Sequence, residues 1–301
     1  MSRVVLTLLL LGLLATQPST HAEESDSAVP DNFRRENLVA WCIVPFDAKQ
    51  RGPEQRAQML ADLGLKRCAY DWRKNHVPSF EQEIDAYDRH GIEYVAFWGQ
   101  HPKAFELFTR RDMNPDLWIM FASPSVDGQA EKVAAAVNGL MPLVKQSGAM
   151  GCRLGLYNHG GWSGEPANMI AVCKAIEAKG YDHVGIVYNF HHAHDRIKSF
   201  ETDFNTMLPH LQCVNLNGMV NMNGLPPGER KRLKIRPIGS GEFEREMIQI
   251  VIDSGYTGPI GILGHVADRD VAVVLKENLE GLNELLGNLK LSPTRPAESN
   301  R

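Results

Sequence analysis

The sequence predicts an α/β protein with a single domain, a (β/α)8 TIM-type barrel, and three observations carry that prediction. Eight short apolar runs of strand length alternate with eight helix-patterned segments across residues 37–290. The runs are apolar along their whole length, as in parallel strands covered by helices on both faces. No glycine-rich dinucleotide turn follows the first run, which places a doubly wound open sheet behind a closed barrel. The chain of 301 residues is long enough; such barrels take about 250 residues.

Taken in order, Arg3 precedes an apolar run from Val4 to Ala15, and a polar stretch then ends in Thr20, His21 and Ala22. That is the order of a secretory signal. The run has twelve residues, short of the roughly 20 needed for a membrane span. Residues 1–22 therefore read as a signal peptide, the protein as exported to the periplasm or outside the cell, and the mature chain as free of the membrane. Residues 23–36, polar with Pro30, read as a flexible lead-in.

Strand patterns follow at 37–46, 66–70, 92–98, 117–122, 152–157, 183–188, 211–216 and 259–263. Helix patterns lie at 53–64, 79–91, 101–112, 127–151, 165–180, 197–209, 242–255 and 268–289. The first helix begins on Pro53 and ends on Gly64, the usual asymmetry of helix termini. A basic, Pro- and Gly-rich loop spans 217–240, with Lys231 to Lys234 read as solvated, and a Pro-containing tail spans 291–301.

Hydrophobic content of 43% and charged content of 23% suit a globular protein. A net charge of −4 gives no reason to expect nucleic acid or an anionic membrane as partner. The five cysteines, odd in number and scattered through apolar segments, predict buried free thiols and no disulfide framework.

In such a barrel the chemistry belongs to the loops after the strands. Those ends carry Trp41, Asp71, Arg73, Trp98, Asn158 and His159, then Asn189, His191, His192, Asn215, Asn217 and His265. Indoles pack on the C–H faces of a sugar ring, while amides and a guanidinium bond its oxygens. Trp41, Arg73, Trp98, Asn158, Asn189 and Asn215 are thus candidate binding residues for a small saccharide.

The stretch from Ile238 to Phe243 (Ile-Gly-Ser-Gly-Glu-Phe), followed by Ile252 to Leu263 (Ile-Asp-Ser-Gly-Tyr-Thr-Gly-Pro-Ile-Gly-Ile-Leu), resembles the seventh-helix and eighth-strand signature of the xylose-isomerase-like barrels. These are also called sugar phosphate isomerase/epimerase or AP-endonuclease-type barrels. The resemblance runs from about Leu38 to Leu286. It implies a divalent metal held by Glu, Asp, His and Glu on strands five to eight. The matching positions here are Tyr157, Asn189, Asn215 and Leu263, and all four depart from that pattern.

Side chains on a strand repeat with period two, and a step of two from each lost ligand gives His159, His191, Asn217 and His265. These four are the expected ligands of a displaced site for a divalent transition metal, Zn or Mn. His192 competes with His191, because the family's Asp-x-x-His spacing maps onto Asn189 and His192.

The resulting expectation is an exported enzyme acting on a saccharide or keto-sugar by proton transfer next to a carbonyl: isomerisation, epimerisation, or lyase or hydratase chemistry. Glu165, Asp71 and His192 are the catalytic candidates. The alternative is a non-catalytic carbohydrate-binding barrel. Glycoside hydrolysis ranks lower, since it needs two opposed carboxylates and only Asp71 is a clear one.

Overall fold

The computed structural model describes residues 29–289, and within them eight parallel strands close into a barrel. The first half comprises β1 (Val39–Trp41), α1 (Pro53–Asp62), β2 (Arg67–Tyr70), α2 (Phe80–His90), β3 (Glu93–Trp98), α3 (Pro102–Arg110), β4 (Asp116–Ile119) and α4 (Gln129–Ala149). The second comprises β5 (Leu154–Tyr157), α5 (Pro166–Glu177), β6 (Val184–Asn189), α6 (Phe200–Met207), β7 (Leu211–Leu216), α7 (Pro227–Leu233), α8 (Glu244–Asp253), β8 (Ile260–Leu263) and α9 (Val271–Gly287). Each strand pairs with the next, and β1 closes on β8 with Val39 opposite Gly261 and Trp41 opposite Leu263.

The predicted barrel is present, and its cause is visible strand by strand. All six residues of β6 and all four of β5 are buried, since helices cover one face and the barrel interior the other. Proline opens α1, α3 and α5, where the missing N–H is not needed. Gly91 closes α2 at φ 63°, a left-handed position that favours glycine. All five cysteines are buried and free, as the composition predicts. Beneath the β2 loop, Arg56 Nη1 donates to both carboxylate oxygens of Glu83, at 2.7 and 2.6 Å, and both side chains are buried.

Three readings need correction. The first strand ends at Trp41, not near residue 46, because Cys42 takes a left-handed φ of 57° and turns the chain across the mouth. The loop 217–240 contains a helix, α7: Pro227 opens it, and Glu229, Arg230, Lys231, Arg232 and Leu233 are good helix formers. Part of the lead-in is docked rather than flexible. Phe33 is buried, and Asn32 Nδ2 donates to the carbonyls of Tyr256 and Gly258, both at 3.0 Å. The signal peptide at 1–22 and the tail at 291–301 lie outside the described residues. Among those residues no helix is long and apolar enough to cross a membrane.

Candidate active site

The strand ends surround a small well of about 80 Å³. Its floor is aromatic. Trp41 packs edge-on against Trp118 at 5.0 Å and meets Trp98 at 5.5 Å, and Trp98 meets Tyr157 at 4.8 Å. Trp41 Nε1 donates to Tyr157 Oη at 3.1 Å. Tyr157 and Leu263, two of the four departures, belong to this floor and fill it with apolar surface.

Asp71 lies on the wall, immediately after β2, and is 1% exposed. Its Oδ1 accepts from the backbone N–H groups of Ile43 and Val44, both at 3.1 Å. These two donors follow the left-handed Cys42, a strained position for a non-glycine residue. Asp71 Oδ2 is buried and has no hydrogen-bond partner. Burial raises the carboxyl from 3.8 to about 7, against the lowering effects of the Val44 N–H, the Arg73 and Arg56 charges and the Ile43 N–H. A carboxyl near neutrality with one free oxygen can both take and return a proton.

Four imidazoles complete the wall: His159 after β5, His191 and His192 after β6, and His265 after β8. His192 stands between His159 and His191, with ring centroids at 4.4 and 3.9 Å, and His265 is 5.9 Å from His191. Phe46 covers His265 at 3.8 Å. Burial, with smaller contributions from nearby positive charges, lowers His192 to about 2 and His265 to about 4, and takes His191 well below its ordinary value. His159, on the exposed rim, is lowered too. The four rings are neutral donors and acceptors at ordinary pH.

The period-two step thus brings His159, His191 and His265 to one well and does not bring Asn217. Asn217 Nδ2 donates to the carbonyls of Gly218 and Lys234, at 2.7 and 3.1 Å, and its Oδ1 accepts from Arg236 N–H at 3.1 Å. Among the described residues no group of three His, Cys, Asp or Glu side chains could hold a metal ion. The rings pack against one another and against Phe46, at tilts of 40° to 47°. The donor set does not fit the expected metal. Two orphaned atoms, Nδ1 of His191 and of His265, are buried without a partner.

Three amides read as sugar ligands face the scaffold. Asn158 Oδ1 accepts from the N–H and Nδ2 of Asn189, at 2.7 and 3.1 Å, and Asn158 Nδ2 donates to Asn189 O at 3.1 Å. This clamp ties the ends of β5 and β6. Asn215 is buried in the barrel against Gly261, where an added Cβ would overlap its Oδ1. Glu165 lies outside the well, 2.9 Å from Arg196. Trp41, Trp98 and Arg73 do line the well, and Arg73 sits over the Phe46 ring at 5.4 Å.

Lys234 is the residue that sequence reasoning missed. It is half-buried, and burial lowers its pKa. Positive charge at Lys234 is among the causes that lower all four histidines. The loop is fixed there by His194, whose ring nitrogens lie 3.0 Å from Val220 O and 2.9 Å from Lys234 O. The cations in Lys231 to Lys234 read as a solvated surface; only the place of Lys234 just after α7 sets it apart from Lys231 and Arg232 within the helix.

No family model matches the sequence, and no curated protein does. Solved structures do. A 3-keto-D-glucoside 4-epimerase from E. coli is 12% identical, with a TM-score of 0.60 over 84% of this chain and 99% of its own. The protein IOLI, solved with a zinc atom, is 10% identical, with a TM-score of 0.61 over 85% and 99%. A D-psicose 3-epimerase solved in the presence of D-fructose is 13% identical, with a TM-score of 0.56 over 83% and 97%. At these identities the likeness is one of fold, the xylose-isomerase-like barrel.

Proposed function

We propose that this barrel is an exported sugar isomerase or epimerase that moves a proton next to the carbonyl of a keto-sugar or aldose. The observation that carries the reading is Asp71: a carboxyl raised to about 7, with one oxygen held by two backbone N–H groups and the other free in the well. General acid–base catalysis works best with a pKa near the operating pH. Asp71 Oδ2 takes the proton from the carbon beside the carbonyl, leaving an enediolate. In isomerisation it returns that proton to the former carbonyl carbon while the hydroxyl proton passes between the two oxygens; in epimerisation water reprotonates the same carbon from the opposite face. Glu165, paired with Arg196, has no part in this, and His192 at about 2 is too weak a base to compete.

The oxyanion that develops needs positive charge, and we assign that role to Lys234, whose charge bears on all four histidines. His159, His192 and His265, held neutral, bond substrate hydroxyls, while Trp41 and Trp98 pack against the ring. Neighbouring structures include sugar epimerases and a zinc-bound protein, which supports the reaction class. No step passes through a Zn or Mn ion, because among the described residues no three His, Cys, Asp or Glu side chains form a metal-holding group. Export rests on the order of charged, apolar and small residues at 1–22.

The test is incubation with a panel of aldoses, ketoses and 3-keto-sugars followed by 13C NMR. The reading requires at least one interconversion by the wild type that Asp71→Asn abolishes. Binding of saccharides with no turnover would leave a carbohydrate-binding barrel instead.

A further inference from the structure

The well is cationic and has almost nothing acidic to match it. Most arginines described here sit on a carboxylate: Arg51, Arg56, Arg153 and Arg196 are examples. Arg73 has no carboxylate partner among the described residues. Its Nη1 donates only to Trp72 O, at 2.8 Å, and its guanidinium lies over Phe46, which packs on His265. Lys234 is half-buried, and among the described residues no carboxylate pairs with its ammonium either. Among the described residues the one carboxylate lining the well is Asp71, whose Oδ1 is held by the N–H groups of Ile43 and Val44. An unmatched guanidinium lining the opening of the well is a group that a bound anion would complete.

We infer that the substrate carries that anion as a carboxylate, so that the substrate class is a sugar acid or keto-sugar acid and not a neutral sugar. Arg73 takes the carboxylate across its planar fork, the geometry for which a guanidinium is suited. Lys234, whose charge lowers the same histidines, is left for the carbonyl oxygen. A phosphate is disfavoured, because the N–H groups that would cradle it, those of Ile43 and Val44, are held by Asp71. The inference deepens the proposed function and rests on that reading of the site.

Calorimetry on the full mature chain tests it, with D-glucuronate, 2-keto-D-gluconate, D-glucuronamide, D-glucose and D-glucose 6-phosphate as probes. At least one acid should bind about tenfold or more tightly than the neutral probes, with affinity falling as salt rises. Arg73→Gln should reduce that preference to about twofold or less. Arg73 is exposed, so the variant is expected to fold, and Lys234→Met gives a second reading of the same charge dependence. Neutral sugars binding as tightly as acids, phosphate binding tighter than carboxylate, a preference that survives Arg73→Gln, or no binding by any probe would each overturn the inference. Acids that bind without turnover would sink the proton-transfer reading alone. Turnover of a neutral sugar would sink the inference alone.

Discussion

Asp71 Oδ1 accepts a hydrogen bond from the backbone N–H of Val44 at 3.1 Å, while its second oxygen is buried with no partner at all. One end of the carboxyl is fixed and the other is available, which makes the group a proton carrier of defined position. As the base, Asp71 must be ionised, so kcat/KM is expected to rise as pH passes through about 7 and to level off above it. The neighbouring His192 and His265, at about 2 and 4, do not titrate in that range. A profile flat between pH 5 and 9 would contradict the assignment.

The same residue links stability to pH. Its folded pKa lies above the unfolded one, at about 7 against 3.8, so the folded state holds the proton more tightly. That stability is fully present below about pH 4 and is lost as pH rises through about 7. Asp71→Asn keeps the shape and carries no charge. Relative to wild type it should gain on the order of a few kcal/mol between pH 4 and pH 8, read by urea denaturation at the two values. An unchanged difference would mean that Asp71 is not held protonated by burial.

Lys234→Met should raise His192 and His265, because Lys234 is the largest charge acting on both after burial itself. Histidine ring signals followed by NMR titration would show the rise. Turnover should fall by about 10² if the ammonium meets the oxyanion, and Lys234→Arg should recover part of the loss. Histidine titrations identical to wild type would remove Lys234 from the site.

Much of the barrel was legible because its signal is local. Continuous apolar runs such as Leu154–Tyr157, proline at 53, 102 and 166, and glycine at 91 each specify an element or its end without tertiary help. The site was legible only in part. Period two placed His159, His191 and His265 at one mouth, yet beyond the strand ends the phase fails, and Asn217 turns to its own loop. Asn158 and Asn189 look like sugar ligands until the clamp between them is seen. Lys234 was hidden because a charge run reads as solvated, and only the fold half-buries this member of it.

Metal content separates the sequence expectation from the geometry. Protein purified without a histidine tag should hold less than about a tenth of an equivalent of Zn or Mn, and a chelator should leave turnover unchanged, since three imidazoles would need to converge at about 2 Å from one ion. One equivalent of metal, lost in both His159→Ala and His265→Ala, would show that the rings rearrange around an ion.

The buried pair beneath the site is structural. Breaking Arg56–Glu83 with Glu83→Ala leaves an unmatched buried guanidinium and should cost about 3–5 kcal/mol in urea denaturation. A cost below about 1 kcal/mol would mean the pair is open to water.

The central claim is that Asp71 moves the substrate proton, and exchange with solvent reads it directly. A sugar that the enzyme turns over is incubated in D2O, and deuterium at the carbon beside the carbonyl is followed by NMR. Wild type and Glu165→Gln should incorporate deuterium, and Asp71→Asn should do so at a rate lower by about 10² to 10⁴. Exchange undiminished in Asp71→Asn would contradict the claim.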